Sequence, residues 1–384
     1  MAGKFTIPGT TYIGEGALTD AAQDICLLGK KALIVTGKSM IGQGHMDTLT
    51  DILTKNGVEY VIDSNITGEP TDLMVEEGLR IYEENSCDFI IGFGGGSPLD
   101  SAKAIGAMVT NEGKIADYNG KVITKAIPPV VAIPSTAGTG SEVTQFTIIS
   151  DTKNNIKMLL KGGVLLPTIA VVDPQFTMNA PKSVTAATGL DALTHAVEAY
   201  TSKKATEFTD LYAISAVKKI FQYLPVVYKD GSNKEARAAM STAAYEAGIC
   251  INNSSVTIVH GMSRPIGALF HVPHGLSNAM LLKECLGFAV DGAYERFAEL
   301  GRAVGKASVE DSDEAAAKKF IDALGEICEI CEVPTLEEYG VKKEEFLAVT
   351  DKMAQDAVDS GSPSNTRKKV TKEDVIDIYK KLWK

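Results

Sequence analysis

The sequence predicts a Rossmann-like α/β dinucleotide-binding domain followed by an all-α metal-binding domain. Three observations carry this. Up to about residue 180, short β-branched runs alternate with helical stretches, the rhythm of βαβ units in a doubly wound parallel sheet. Two of those runs end in turns dense in glycine and hydroxyls, where sheets of this kind bind ligands. Beyond Pro174 and Pro181 the chain becomes alanine-rich and helical, and four of its 5 histidines lie there in three short segments. At 384 residues the chain exceeds the size at which a single core stops growing. The expected domains are therefore 1–180 and 181–384.

In the first half, Lys31-Ala-Leu-Ile-Val-Thr36 reads as a strand, followed by a glycine turn and a helix near 45–56. Val58 to Ile62 is the next strand, then a helix from about Thr71 to Asn85. Asp88-Phe-Ile-Ile-Gly-Phe93 is continuously apolar, as a strand buried on both faces should be. It runs into Gly94, Gly95, Gly96, Ser97, Pro98 and Asp100. There Ser97 suits an N-cap, Pro98 the first helical position and Asp100 the third, in a capping-box arrangement. Glycines ahead of a helix N-terminus make a natural phosphate cradle. After the strand Val130–Ile133 comes Pro134-Ser-Thr-Ala-Gly-Thr-Gly-Ser-Glu142, whose hydroxyls suit a pyrophosphate or a nicotinamide amide.

The turn Gly37-Lys38-Ser39 is not a P-loop. Ala32 stands where the first glycine would be, and the intervening residues are strand. At this place an acidic residue often binds the ribose hydroxyls of NAD. Gly37, Lys38 and Ser39 offer no carboxylate, so the turn favours NADP(H) over NAD(H).

In the second half, helices are expected near 182–201, 206–224, 234–253, 255–269, 275–288, 291–304, 312–331 and 372–382. Asp191 and His195 stand four residues apart in the first of these. At that spacing both side chains leave one helix face, roughly 6 Å apart at the backbone. A carboxylate and an imidazole so placed can share one divalent cation, each bound at ~2.0–2.2 Å. A lone pair of this kind is ordinarily a surface or capping contact. His260-Gly-Met-Ser-Arg264 and His271-Val-Pro-His274-Gly, in the same half, turn it into a candidate mononuclear site of Asp191, His195, His260 and His274.

Composition narrows the partners. Net charge is −11 and no basic patch stands out, which argues against nucleic acid. No run approaches the ~20 apolar residues of a membrane span, and the N-terminus has no signal-peptide core. The 6 cysteines show no framework spacing, and Cys328-x-x-Cys331 has no second pair, so they read as idle thiols. A cytoplasmic protein with a small-molecule substrate is expected.

With these residues in view, the chain resembles the iron-containing (group III) alcohol dehydrogenases over essentially its whole length. The resemblance rests on Gly94 to Lys103, Pro134 to Glu142, Gly189 to Glu198, His260-Gly-Met and Pro273-His-Gly275. It implies the two-domain architecture shared with dehydroquinate synthase, and a homodimer or larger homo-oligomer. It implies reversible interconversion of an alcohol and an aldehyde, by hydride transfer at nicotinamide C4 beside a Lewis-acid metal, Fe2+ or with the same donors Zn2+. Asp191, His195, His260 and His274 match the family's iron ligands. Gly94 to Ser97 match its phosphate turn, Ser135, Thr136 and Thr139 its hydroxyl turn, and Lys157 a lysine near the cofactor.

The chain departs from the family twice. Many members carry Asp where Gly37 stands, and its absence resembles NADP-using members. Many carry a histidine where Arg264 stands, which leaves His271 as the local candidate for proton exchange. If Arg264 faces the site, it could pair with a carboxylate, sulfonate or phosphonate on an aldehyde. The alternatives are a dehydroquinate synthase-like lyase, a hydroxyacid–oxoacid transhydrogenase, and a non-catalytic protein with a structural metal.

Overall fold

The computed structural model describes residues 3–42, 44–154 and 156–383. They form two compact units, one up to Ala180 and one from Pro181 onward. Strands in the first are β1 (Thr10–Ile13), β2 (Lys31–Thr36), β3 (Glu59–Asp63), β4 (Phe89–Gly94), β5 (Val130–Pro134), β6 (Phe146–Asp151), β7 (Ile156–Lys161) and β8 (Ile169–Val172). Six make one sheet, in the order β1-β8-β5-β4-β2-β3, with every pairing parallel. The other two, β6 and β7, pair as an antiparallel hairpin.

Successive residues of a strand face opposite sides of its sheet, and β2 shows the consequence. Ala32 and Ile34 join Phe89, Ile91 and Phe93 in one core. Leu33 and Val35 join Ile90, Val130, Ala102 and Ile105 in the other. Because both faces are covered, β2 and β4 can be apolar at nearly every position. β3 and β4 flank β2 on opposite sides, so the strand order reverses between β2 and β4. Ligands of open α/β sheets bind at the carboxyl ends of strands at such a reversal.

The sequence singled out four strands. β1 and β8 have only four residues each, and the β6–β7 hairpin has no helix between its strands, so none of them shows the βαβ rhythm that marks the rest.

The second unit contains nine α-helices among the described residues: Lys182–Thr201, Glu207–Lys229, Lys234–Asn253, Ile258–Phe270, His274–Ala289, Tyr294–Ala303, Asp313–Ile330, Lys343–Asp359 and Lys372–Lys381. The Lys182–Thr201 helix is the central one. Every residue from Gly189 to Thr201 is buried, and it packs on the Glu207–Lys229, Lys234–Asn253 and His274–Ala289 helices. A helix apolar all round is an interior helix, so the polar residues it carries stand out. The Lys343–Asp359 helix was not expected from sequence. Its buried stripe is thin, Phe346, Thr350, Met353, Ala354 and Ala357, in an otherwise polar segment. Among the described residues no helix is long and apolar enough to cross a membrane.

Candidate metal centre and dinucleotide turns

Asp191 and His195 sit one turn apart on the Lys182–Thr201 helix and are 2% and 4% exposed. His260 lies near the start of the Ile258–Phe270 helix, and His274 opens the His274–Ala289 helix. The Nε2 atoms of His195, His260 and His274 stand 3.9, 3.6 and 3.8 Å from Asp191 Oδ1. All four ligand atoms lie within 4.8 Å of one another. A tetrahedral site with bonds of ~2.1 Å has edges of roughly 3.4 Å, so this spread approaches that of a mononuclear cage. His274 keeps 34% of its side chain exposed, which leaves the cage open on its side.

Two glycines explain how three helices converge. A Cβ at Gly275 would stand 2.4 Å from Ala187 O and 3.2 Å from Asp191 Cβ. Glycine after His274 therefore lets that helix begin directly against the Asp191 helix. A Cβ at Gly261, after His260, would stand 2.7 Å from Pro363. Both His-Gly pairs are close-approach devices.

Residues behind the ligands set their orientation. Glu198 is fully buried and accepts from Thr257 Oγ1 at 2.8 Å, Val259 N at 2.6 Å and His260 Nδ1 at 2.5 Å. With its Nδ1 hydrogen held there, His260 presents the Nε2 lone pair to the cluster. Asn278 Nδ2 donates to Asp191 Oδ1 at 2.7 Å and lies 3.1 and 3.3 Å from the Nε2 atoms of His260 and His274. Its Oδ1 is buried without a hydrogen-bond partner. Neither Glu198 nor Asn278 is among the site residues expected from sequence. The signal was present: Glu198 follows His195 by three residues and Asn278 follows His274 by four, both on the ligand faces.

Burial alone would raise the Asp191 carboxyl, but His195, His274 and His260 outweigh it and hold it well below the usual range. Burial would lower His260, yet Glu198 and Asp191 push it up to about 8. His274 is lowered by burial, and the neighbouring His260, His195 and Arg264 add to that against the pull of Asp191. One buried carboxylate, three imidazoles and an orphaned amide oxygen fit a divalent iron or zinc ion.

In the first unit, three predicted turns follow three adjacent strands. Gly37–Ser39 follows β2, Gly94–Ser97 ends β4 and Ser135–Thr139 follows β5. Thr36 Oγ1 donates to Phe93 O at 2.7 Å, and Ser135 N to Gly94 O at 2.7 Å, tying the carboxyl ends together. Gly94 has φ 149°, and a Cβ there would meet Pro98 at 2.8 Å; only glycine suits it. A Cβ at Gly96 would stand 2.9 Å from Thr139, so these two turns also touch.

The helix does not start with the expected Ser97 cap and capping box. The helix is Gly96–Thr110 with Gly95 as N-cap and no side-chain cap. Ser97 and Pro98 lie inside it. Asp100 turns away from the helix start to accept from Ser141 Oγ at 2.5 Å and Ile148 N at 3.0 Å. Glycine freedom starts the helix earlier than the Ser-Pro pair suggests. The carboxylate then meets polar groups of the following turn and hairpin, which a capping role would have left without it. Lys157, on β7, is paired with Glu69 at 2.5 Å. His271 stands apart from the cluster as the exposed, left-handed C-cap of its helix, with φ 54°. Arg264 donates from Nη1 to Ser362 Oγ at 3.0 Å.

The profile of the iron-containing alcohol dehydrogenases matches residues 8–174, and that of the Fe-containing alcohol dehydrogenase C-terminal region matches 185–383. The chain belongs to the iron-containing alcohol dehydrogenase family. It is 36% identical to the NAD-dependent methanol dehydrogenase of Bacillus methanolicus, with 98% of this chain and 99% of that protein covered. It is 37% identical to alcohol dehydrogenase 4 of Saccharomyces cerevisiae (strain ATCC 204508 / S288c), covering 99% and 98%. A crystal structure of 1,3-propanediol oxidoreductase superposes with a TM-score of 0.96 at 33% identity, covering 100% of both chains. Within this family the chain is a metal-dependent, NAD(P)-linked alcohol dehydrogenase, an oxidoreductase. The fold is the expected Rossmann-like unit plus helical metal-binding unit. The lyase and transhydrogenase alternatives are not favoured, since these full-length relatives are dehydrogenases.

Proposed function

We propose that this enzyme interconverts a primary alcohol and its aldehyde, with Asp191, His195, His260 and His274 holding Fe2+, or Zn2+ through the same donors. The observation that carries the reading is the cluster itself, four ligand atoms within 4.8 Å on three helices. When bound, the metal supplies Lewis acidity at the substrate oxygen and the nicotinamide gives or takes the hydride at C4. The chain supplies orientation. Glu198 fixes His260, and the buried flanks of Asp191, His195 and His260 keep water from the cluster except on the His274 side. Gly94, Gly95, Gly96 and Ser97 bind the pyrophosphate at a helix N-terminus that no side chain caps. Ser135, Thr136 and Thr139 line the nicotinamide end. Asp100 and Lys157 hold the surrounding turn and hairpin instead of touching cofactor, and His271 takes no part.

The Gly37-Lys38-Ser39 turn accepts the extra phosphate of NADP(H). It has no carboxylate, Lys38 and Ser39 are exposed, and Gly37 packs so tightly that a Cβ would stand 3.1 Å from Ile66 O. The enzyme works in the cytoplasm, in keeping with its 6 free cysteines. It assembles as a homodimer or larger through exposed edges such as that of β1, where Ile13 is 47% exposed.

The test is an anaerobic cofactor-oxidation assay on chelated protein, crossing Fe2+ and Zn2+ with NADPH and NADH over a panel of short aldehydes. Metal-dependent oxidation is expected, with the higher kcat/KM for NADPH. A higher value for NADH removes the NADP reading alone. No oxidation with any pair, despite bound metal and nucleotide, removes the catalytic proposal.

A further inference from the structure

Arg264 lies one helical turn beyond His260, so the two leave nearly the same face of the Ile258–Phe270 helix. On that helix Gly261 faces Pro363, and Arg264 reaches Ser362 beside it. Among the described residues Arg264 has no carboxylate partner. Arg80, Arg296 and Arg302 each pair with one or more acids. The acids of the cluster are engaged elsewhere: Glu198 by Thr257, Val259 and His260, and Asp191 by Asn278 and the three imidazoles. The guanidinium lies within electrostatic reach of His274. Burial also weighs on Arg264 itself.

Charge balance gives the consequence. Asp191 and Glu198 bring two negative charges to this site, and a divalent ion would cancel both. Arg264 is then a partly buried cation with one neutral partner, Ser362, which is 6% exposed. A desolvated charge without a counter-charge is costly. A guanidinium keeps a fork of donors that matches a carboxylate or another oxyanion.

We propose that Arg264, braced by Ser362, binds an acidic group on the far end of the substrate, so that the preferred substrate is a short acid-bearing aldehyde or hydroxy acid. Four helical residues rise about 6 Å, which suits roughly two to four carbons between the reacting carbon and the acid. This rests on the dehydrogenase reading above, which it deepens by naming the substrate class.

The probes are succinic semialdehyde and butanal, which share a chain length and differ at the acid, with a sulfonate-bearing aldehyde as a third arm. Expected for the wild type is a kcat/KM at least 10-fold higher with succinic semialdehyde than with butanal. In Arg264→Leu that ratio should fall by about 10- to 100-fold, the range of a charge-assisted hydrogen bond, and Arg264→Lys should recover part of it. A readout free of turnover is calorimetric binding of unreactive succinate to metal-loaded enzyme, expected for the wild type and lost in Arg264→Leu. The sulfonate arm separates a carboxylate site from a general oxyanion site, and a preference for either acid over butanal supports the anchor. Equal losses on acidic and neutral aldehydes, or a wild type that prefers butanal and ignores succinate, overturn this inference and leave the dehydrogenase reading intact. Absence of turnover with every aldehyde strikes that reading instead, and succinate binding still reports on Arg264. Should Arg264→Leu not fold, the ratio and succinate affinity in Arg264→Lys and Ser362→Ala decide.

Discussion

Glu198 accepts three hydrogen bonds, two of them from the segment that leads into His260. It therefore positions both an imidazole and the start of the helix that carries it. Glu198→Gln keeps the shape but loses the charge. Metal affinity should fall about 10- to 100-fold, read by competition with a chelator, while dinucleotide affinity is unchanged. An unaltered metal affinity would show that Glu198 does not position the ligand. In the first unit Glu142 is another buried acid, 3% exposed near the fully buried Lys103. Burial pushes Glu142 up to about 7 and Lys103 down to about 8. A carboxyl raised above its unfolded value of 4.5 stabilises fully below that pH, and the contribution is lost as pH rises through about 7. Local stability of the Gly96–Thr110 helix, from hydrogen exchange corrected for intrinsic rates, should drop between pH 5 and 7.5. In Glu142→Gln the drop should shrink, and a variant that keeps the full wild-type slope refutes the assignment.

At the scale of elements, three helices meet at the cluster because glycine removes the side chains that would hold them apart. Gly275→Ala puts a methyl against Ala187 O and Asp191 Cβ, so the His274–Ala289 helix must retreat. Overpacking of this kind costs about 1–3 kcal/mol, and His274 moves with its helix. Gly287 lies on the same helix with only an ordinary contact to Ile321 at 3.6 Å. Gly287→Ala should leave metal affinity intact, whereas Gly275→Ala should lower both affinity and melting temperature. Equal behaviour of the two variants would contradict close approach as the reason for His274-Gly275.

At the scale of the whole molecule, the two units hold different groups. The candidate metal-holding residues all belong to the unit that begins at Pro181, and the glycine turns all to the one that ends at Ala180. A ligand that binds only the folded state stabilises what it binds. Chelation should therefore lower hydrogen-exchange protection in the Lys182–Thr201, Ile258–Phe270 and His274–Ala289 helices and spare β2, β4 and β5. Equal loss across the sheet would mean that the metal supports the whole chain.

The sequence alone determined the fold class, the four residues that cluster as a candidate metal site and the three turns, because each has a local signature. Asp191 and His195 share a helix face by spacing, and glycine runs at strand ends limit what the backbone there can do. It did not determine β1, β8 or the β6–β7 hairpin, whose pairing depends on distant strands. It misread Ser97 and Asp100, since a capping box and a tertiary clamp use the same residue types. It was silent on the partners of Glu198 and Asn278, and on Arg264 pairing with Ser362 and, among the described residues, with no carboxylate. Those are decided by which buried groups meet once the helices pack, a contest for hydrogen bonds and counter-charges that only the tertiary structure resolves.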